Sequence, residues 1–186
     1  MFKVAELAGK PQDHIRLVLC MLLETPIGLF LNCFVPPSWT MRYLYSMFMG
    51  MFLTAYMFRA QVIHVYLMSI GAYVLMTTMP RNTQHKYVLA YLVAYLSAQH
   101  IYSMYTDFGG YNMDVRTYTM LLMIKLWGLT FAYKDGGEKI ENLTKDQIER
   151  RVVQLPGVIQ YFSYVFFCCG CIMGPFFEYS DFQNWI

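Results

Sequence analysis

The sequence predicts an all-α fold, a multi-spanning membrane bundle with about five or six transmembrane segments. Of its 186 residues, 57% are hydrophobic and only 14% are charged, whereas soluble domains carry about 25% charged residues. The charges are also unevenly placed. The chain has 14 basic and 12 acidic residues, and ten of these charged residues lie between positions 134 and 151. This composition excludes a disordered chain, a nucleic-acid-binding patch and a disulfide scaffold. The net charge of +2 is too small to define a partner.

A transmembrane helix needs about 20 mostly apolar residues, and six windows approach that length. In chain order they are residues 15–36, 43–58, 60–80, 87–106, 117–133 and 152–177. The third, fourth and sixth windows contain no Asp, Glu, Lys or Arg and are predicted to be spans, the sixth beginning after Pro156. The second window is a short span. The first, interrupted by Glu24 and Pro26, is expected to be broken or to lie partly at the interface, and the fifth is a span or a re-entrant helix.

The whole chain, residues 1–186, is predicted to be a single membrane domain whose residues 134–157 form a charged loop. The turn at 134–137 is followed by Thr144 and Gln147, whose spacing predicts a capping box and a short surface helix from Lys145 to about Gln154. With six crossings, the face that carries this loop receives eight basic residues and the other face five. The positive-inside rule then places the loop in the cytoplasm. No secretory signal peptide is visible in the first 14 residues.

Ionisable side chains inside a bilayer are costly and suggest function, and two stand out here. Glu24 is either in water at a helix break or a buried functional group. Lys125 either reaches the headgroup layer along a tilted helix or is a cation in a polar cavity, able to attract a phosphate or to pair with Asp114 or Asp135. His64 and His100 are expected to be hydrogen-bonded packing residues.

The five cysteines, three of them at 168, 169 and 171, are expected to be membrane-buried thiols. No His or Cys set has zinc-ligand spacing and no Gly-rich phosphate loop is present, so no metal site is predicted. From the residues alone, the chain is a membrane bundle without an assembled active site.

The second half carries an ordered series of short motifs. In sequence order they are 107-DFGG-110, 111-YNMD-114, Lys125, 135-DGG-137, 155-LPGV-158, 161-YFSY-164 and 174-GPFFEYSDF-182. Over residues 97–186 this series resembles the membrane-bound O-acyltransferase family, and within it the lysophospholipid acyltransferases. Residues 1–96 match only in hydropathy. The family usually has a Thr/Ser-Gly pair soon after the Asp that matches Asp114, but here residues 115–118 contain no glycine.

The resemblance implies transfer of a fatty acyl group from acyl-CoA to a lysophospholipid hydroxyl in the endoplasmic reticulum membrane. It implies acyl-CoA as a co-substrate and no bound cofactor. The family's catalytic His and Asn lie beyond the segment that matches this chain, so we expect an N-terminal, non-catalytic portion. The substrate-binding candidates that match the family pattern are Asp114, Lys125, Asp135, Tyr164, Gly174 and Pro175.

Two other functions stay open at this point. The chain could be a complete but non-catalytic lipid-binding or regulatory membrane protein derived from the same family. It could also be a small transporter or channel subunit, because Glu24 and Lys125 lie in apolar stretches.

Overall fold

A computed structural model describes residues 12–36, 38–106, 108, 114–170, 172, 174 and 176–186. The described chain is all-α, as predicted. Its helices are α1 Gln12–Cys33, α2 Trp39–Phe58, α3 Val62–Thr78, α4 Gln84–Thr106, α5 Val115–Asp135, α6 Lys145–Arg150, α7 Val158–Val165 and α8 Tyr179–Trp185. Short 3-10 turns occupy Arg59–Gln61 and Ile140–Asn142.

The five long helices alternate in direction. Near the junction of α1 and α2, the hydroxyl of Tyr45 donates to the carbonyl of Ile27 at 3.3 Å. At the start of α4, the side-chain Nε2 of Gln84 donates to the backbone carbonyl of Thr130, near the end of α5, at 3.4 Å. The chain reverses between α2 and α3 at Arg59, which has a positive φ of 51°. One end of the bundle therefore carries residues 134–157 and is called the loop end. The other is called the opposite end.

Length and apolar composition mark two helical stretches of the described chain as able to cross a membrane. They are Asp13–Cys33 and Trp39–Thr78, and the second contains α2 and α3. Only 17% and 28% of these windows are buried within the protein. A core helix of a soluble protein would be buried along most of its length, so these surfaces suit contact with lipid. The prediction of five or six crossings stays a prediction beyond these stretches.

The last segment, residues 158–186, enters the bundle from the loop end and returns to the same end. Arg150, just before the segment, forms an ion pair with Glu178 on its returning arm at 3.2 Å. Arg42, near the start of α2, donates to the carbonyl of Ile186 at 2.8 Å. The segment turns at Gly170, Ile172 and Gly174, which we call the tip.

Contacts with the long helices place the tip about halfway through the bundle. A methyl group at Gly50 would lie 1.7 Å from the carbonyl oxygen of Phe166, just before the tip. The backbone N–H of Ile172 donates to the carboxylate of Glu24 at 3.3 Å. Glu24 lies nine residues from the end of α1 at Cys33, or about 14 Å along the helix axis.

The prediction of one span within residues 152–177 is wrong. The helix there, α7, has eight residues, about 12 Å in length, and a spanning helix must cross about 30 Å. The chain leaves the helix at Phe166 and turns at the tip, where Gly170 has a φ of 154°, a conformation that only glycine adopts readily. The window is thus a re-entrant segment, a form that the sequence had suggested for residues 117–133 instead.

The charged loop contains the predicted capping box, but its surface helix is shorter than predicted. The N–H of Gln147 donates to the Thr144 hydroxyl at 3.4 Å, and the Gln147 side chain accepts from the Thr144 N–H at 3.0 Å, so the capping box is confirmed. The surface helix ends at Arg150 instead of about Gln154. It stops early because the backbone of Val152 bonds to the end of α5 instead of continuing the helix, its N–H donating to the carbonyl of Ala132 at 2.8 Å.

Candidate functional site

Lys125 lies at the centre of the bundle. It is ten residues from each end of α5, which places it about 15 Å from either end. Its side chain is buried, with 8% of its surface exposed. A headgroup-layer position for Lys125 is therefore wrong. Lys125 is in the protein interior, as in the second alternative, but the predicted polar cavity is not found there, because the side chains around it are mostly apolar.

Aromatic rings of the re-entrant segment surround the Lys125 ammonium group. The Nζ atom lies 4.2 Å from the ring centroid of Phe177 and 5.3 Å from that of Tyr164. Both distances are within the range of cation–π attraction, which gains strength where water is excluded. The Tyr164 hydroxyl donates to the carbonyl of Phe177 at 3.0 Å, so the two rings hold each other in place. Lys125 therefore fastens the returning arm of the segment to α5.

A small cavity adjoins Lys125. It is lined by Tyr118, Leu121, Leu122, Ile124, Lys125, Gly170, Gly174 and Phe176. Its volume of about 30 Å³ has room for a water molecule or two. A phosphate or an acyl chain does not fit this volume, so either would need the tip to separate from α5.

The two glycines of the tip are in direct contact. A methyl group at Gly174 would lie 2.3 Å from the Cα of Gly170, so a side chain at Gly174 would force the turn open. Gly174 also lines the cavity beside Lys125. Its contribution to the turn is that the absence of a side chain lets it pack directly against Gly170. Pro175 lies outside the described residues.

Glu24 contacts the other side of the tip. Helix α1 continues through Pro26 to Cys33, and Glu24 is partly buried within it. The alternative in which Glu24 lies in water at a helix break is therefore wrong. Because Glu24 accepts the N–H of Ile172 and Lys125 lines the cavity formed by Gly170 and Gly174, the two ionisable residues flank one turn.

Asp114 is at the opposite end. Its carboxylate caps α5 by accepting the N–H of Val115 at 2.7 Å, and it forms an ion pair with Arg116 at 2.7 Å. Eleven residues of helix separate it from Lys125, or about 16 Å. The predicted pairing of Lys125 with Asp114 is therefore wrong.

Asp135 ends α5 at the loop end, about 15 Å from Lys125, so pairing with that residue is wrong as well. The turn after it is fixed by Arg81, which donates to the carbonyls of Tyr133 at 2.7 Å and Val152 at 2.8 Å. A methyl group at Gly136 would lie 2.0 Å from the Val152 carbonyl oxygen. The Asp-Gly-Gly turn thus joins the charged loop to the bundle.

A second polar region lies at the opposite end, and sequence reasoning missed it. Two adjoining cavities of about 480 and 440 Å³ share Gln61, Ser103, Asp114 and Arg116 in their linings. We call this pair of cavities the opposite-end basin. His64 lines it and contacts the hydroxyl of Tyr95 at 2.9 Å through Nδ1. The available signal was glutamine within apolar windows, at positions 61 and 99.

The structure brings Lys125, Tyr164 and Gly174 together and leaves Asp114 and Asp135 at the two ends of α5. Among the described residues, no group of three or more His, Cys, Asp or Glu side chains could hold a metal ion. The cysteines that the structure describes are free: Cys20, Cys33, Cys168 and Cys169. What this arrangement supplies is one buried positive charge beside a re-entrant turn.

Residues 101–186 match the family model described as MBOAT, membrane-bound O-acyltransferase family. The chain is 31% identical over 190 residues to Lysophospholipid acyltransferase 2 of Arabidopsis thaliana, covering 100% of this chain and 40% of that protein. It is 27% identical over 181 residues to Membrane-bound glycerophospholipid O-acyltransferase 2 of Gallus gallus, covering 95% and 35%. With Lysophospholipid acyltransferase 6 of Drosophila melanogaster the identity is 24% over 187 residues, covering 98% and 26%. The chain thus spans between about a quarter and two fifths of the length of these curated relatives.

Proposed function

Because this chain belongs to the membrane-bound O-acyltransferase family, we propose that it is the N-terminal, non-catalytic portion of a lysophospholipid acyltransferase. The reaction transfers a fatty acyl group from acyl-CoA to the free hydroxyl of a lysophospholipid. The proposed location is the endoplasmic reticulum membrane, with the charged loop in the cytoplasm.

The observation that carries this proposal is the extent of the similarity. Matches to relatives named as lysophospholipid or glycerophospholipid acyltransferases cover 95–100% of the chain. They therefore include helices α1 to α3, which precede the family match at residues 101–186. A shared short motif alone would leave these helices unmatched.

The geometry around Lys125 supports a role in binding an anionic part of a substrate. A lysine is a compact point charge that suits a phosphate, and burial among apolar and aromatic groups strengthens its attraction for an anion. In this proposal the phosphate of CoA or of the lysophospholipid reaches Lys125 from the side of α5 that the re-entrant segment covers. The tip then moves away from α5, because the present cavity of about 30 Å³ is too small for either group.

The decisive experiment is an acyl-transfer assay on membranes that contain the native gene product, with radiolabelled oleoyl-CoA and a panel of lysophospholipids. We expect Lys125→Ala to lower the initial rate by at least about tenfold, the effect of losing roughly 1.4 kcal/mol of transition-state binding. Lys139→Ala is the matched control, because Lys139 is exposed in the charged loop, and it should keep the normal rate. Equal rates for the two variants would remove the proposed role of Lys125.

The intact mass of the native protein, measured in the same membranes, tests the rest of the proposal. A mass well above 21.9 kDa, together with acyl transfer, supports an N-terminal portion of an enzyme. A mass of 21.9 kDa without transfer would favour a lipid-binding or regulatory relative instead.

A further inference from the structure

Two adjacent cysteines lie just before the tip, and their sulfur atoms face each other. The Sγ atoms of Cys168 and Cys169 are 3.7 Å apart, and one thiol can donate a weak hydrogen bond to the other. Neighbouring side chains of a regular helix or strand point in different directions. The close approach of these two thiols is therefore a product of the turn that the chain makes after α7.

The two sulfurs differ in their access to the surroundings. Cys168 is completely buried, whereas Cys169 is partly buried and lines two open cavities of about 340 and 370 Å³. A reagent that enters either cavity thus meets Cys169 first and finds Cys168 directly behind it. An accessible thiol with a second thiol beside it is the arrangement of a redox-sensitive cysteine and its resolving partner.

Cys169 also takes part in the packing of the tip against α1. A methyl group at Gly28 would lie 2.5 Å from the Cys169 Sγ, so this sulfur rests directly on the helix. Glu24, one turn away on the same face of α1, accepts the N–H of Ile172. Helix α1 therefore holds the tip through two neighbouring contacts, one of which is the Cys169 sulfur.

A disulfide between the two cysteines would need only a short movement. The sulfurs would approach from 3.7 Å to the roughly 2.05 Å of an S–S bond. Adjacent Cα atoms are about 3.8 Å apart, whereas disulfides usually join Cα atoms separated by roughly 4.4–6.8 Å. The bond would therefore be strained and easily reduced, as labile and regulatory disulfides are.

The surroundings of the pair select the kind of oxidant. Aromatic side chains make up most of the lining of the smaller cavity beside Cys169, and the tip lies about halfway through the bundle. A charged oxidant such as glutathione disulfide would have to lose its hydration to reach this position, which is costly. A hydroperoxide is neutral and can enter an apolar cavity, whether it comes from an oxidised lipid or from water.

We propose that Cys168 and Cys169 are a reversible modification site that a hydroperoxide oxidises to a disulfide, and that this oxidation releases the tip from α1. The release follows because the Cys169 sulfur is drawn towards Cys168 and away from Gly28. The site does not depend on the acyltransferase activity proposed above, because it needs neither acyl-CoA nor a lysophospholipid.

The oxidation has two steps. The Cys169 sulfur attacks an oxygen of the hydroperoxide, the O–O bond breaks, and the alcohol (or water) leaves with the thiol proton, so that Cys169 becomes a sulfenic acid. The Cys168 sulfur then attacks the Cys169 sulfur, the S–O bond breaks, and water leaves with the second thiol proton. The two thiols together lose two electrons and the hydroperoxide gains them. Cellular thiols restore the pair by thiol–disulfide exchange.

The purified full chain in detergent, reduced and then freed of reductant, is treated with three oxidants: phosphatidylcholine hydroperoxide, hydrogen peroxide and glutathione disulfide. Peptide mass spectrometry detects the bond as a loss of two hydrogen atoms. We expect the bond with both hydroperoxides, and formation at least about tenfold slower with glutathione disulfide, because access limits exchange. Dithiothreitol should restore both thiols. In the oxidised protein, the amide of Ile172 should exchange with deuterium several times faster.

Alanine variants assign the two steps, since alanine replaces a buried cysteine with another small apolar residue. Cys169→Ala should abolish the reaction, and Cys168→Ala should stop at a sulfenic acid on Cys169 that dimedone traps. Cys171, which lies outside the described residues, is tested by Cys171→Ala, which should still form the bond. Cys33→Ala is the matched control, because Cys33 is exposed at the end of α1, and it should react at the normal rate.

A disulfide that disappears in Cys171→Ala, or an unchanged oxidation rate in Cys169→Ala, would overturn the proposed pair. Equal rates with glutathione disulfide and the hydroperoxides would overturn the choice of oxidant. Unchanged deuterium exchange at Ile172 after oxidation would overturn the release of the tip. Faster reaction with the lipid hydroperoxide than with hydrogen peroxide would support the bilayer as the source of the oxidant, and the reverse order would support water.

Discussion

The tip region around Lys125 is closely packed, whereas the opposite-end basin is open. Beside Lys125 the free volume is about 30 Å³, and glycines allow the segment to approach α2 and α5 closely. In the basin, cavities of about 440 and 480 Å³ remain among charged and amide side chains. The difference indicates that small residues allow close packing at the centre of this bundle, whereas charged and amide side chains line the cavities at one end.

Gly50 gives the largest expected effect in a test of this comparison. A methyl group there would lie 1.7 Å from the carbonyl oxygen of Phe166, a backbone atom that cannot turn aside. We expect Gly50→Ala to destabilise the protein by about 3 kcal/mol or more, at the upper end of overpacking effects. That corresponds to a fall of roughly 10 °C in the unfolding midpoint. Size-exclusion chromatography after heating in detergent measures it.

Gly128→Ala is the matched control, because Gly128 is also within a long helix and gains the same helix propensity from alanine. Its new methyl group would lie 3.3 Å from the side chain of Phe176, which is 47% exposed and free to shift. We expect a midpoint equal to that of the unaltered protein or slightly higher. Similar losses in both variants would contradict the idea that backbone contact at Gly50 fixes the depth of the segment.

Glu24 provides a smaller test, confined to the tip. Glu24→Leu removes the acceptor of the Ile172 N–H and should cost about 1–3 kcal/mol, the penalty of an unpaired buried polar group. Glu24→Gln keeps an oxygen acceptor and should cost little. Because the tip is loosened in Glu24→Leu, a membrane-permeant maleimide should label Cys169, the residue before Gly170, several times faster. Peptide mass spectrometry measures the labelling.

Cys20 controls for general unfolding, because it is fully buried in α1 and should be labelled faster only if the bundle opens. Equal Cys169 rates in Glu24→Leu and Glu24→Gln would mean that the contact with Ile172 does not hold the tip.

Most of the long helices could be predicted from charge-free windows. The predicted window 87–106 corresponds to the observed helix α4, Gln84–Thr106. The predicted window 60–80 corresponds to α3, Val62–Thr78. Such windows measure how well a segment tolerates an apolar environment, which a spanning helix and a re-entrant segment share. They could not distinguish the two forms for residues 158–186, because the turn at the tip depends on glycine contacts with distant helices.

The candidate site was predicted in part. Glu24 and Lys125 stood out as ionisable residues in apolar windows, and the structure places both at the tip. Their common position could not be read from the sequence, because Glu24 and Ile172 are separated by 148 positions. The basin was harder still, since it forms only when the ends of five helices meet and its members have no motif of their own.

The smallest expected effect is a dependence of stability on pH at the loop end of the bundle. Burial, followed by the positive charges of Lys134 and Lys86, lowers the pKa of His85 below its ordinary 6.5, and Asp135 opposes this only in part. The folded protein therefore binds this proton less well than the unfolded chain.

Stability is then complete above about pH 6.5 and is lost as the pH falls below that value towards the lowered pKa of His85. His85→Gln removes the titrating group, so its unfolding midpoint should fall less between pH 7 and pH 5 than that of the unaltered protein. Thermal unfolding in detergent at a series of pH values measures the difference. Because other carboxylates titrate in both proteins, only the difference between the two curves reports on His85. Parallel curves would show that burial at the loop end does not disfavour a charged His85.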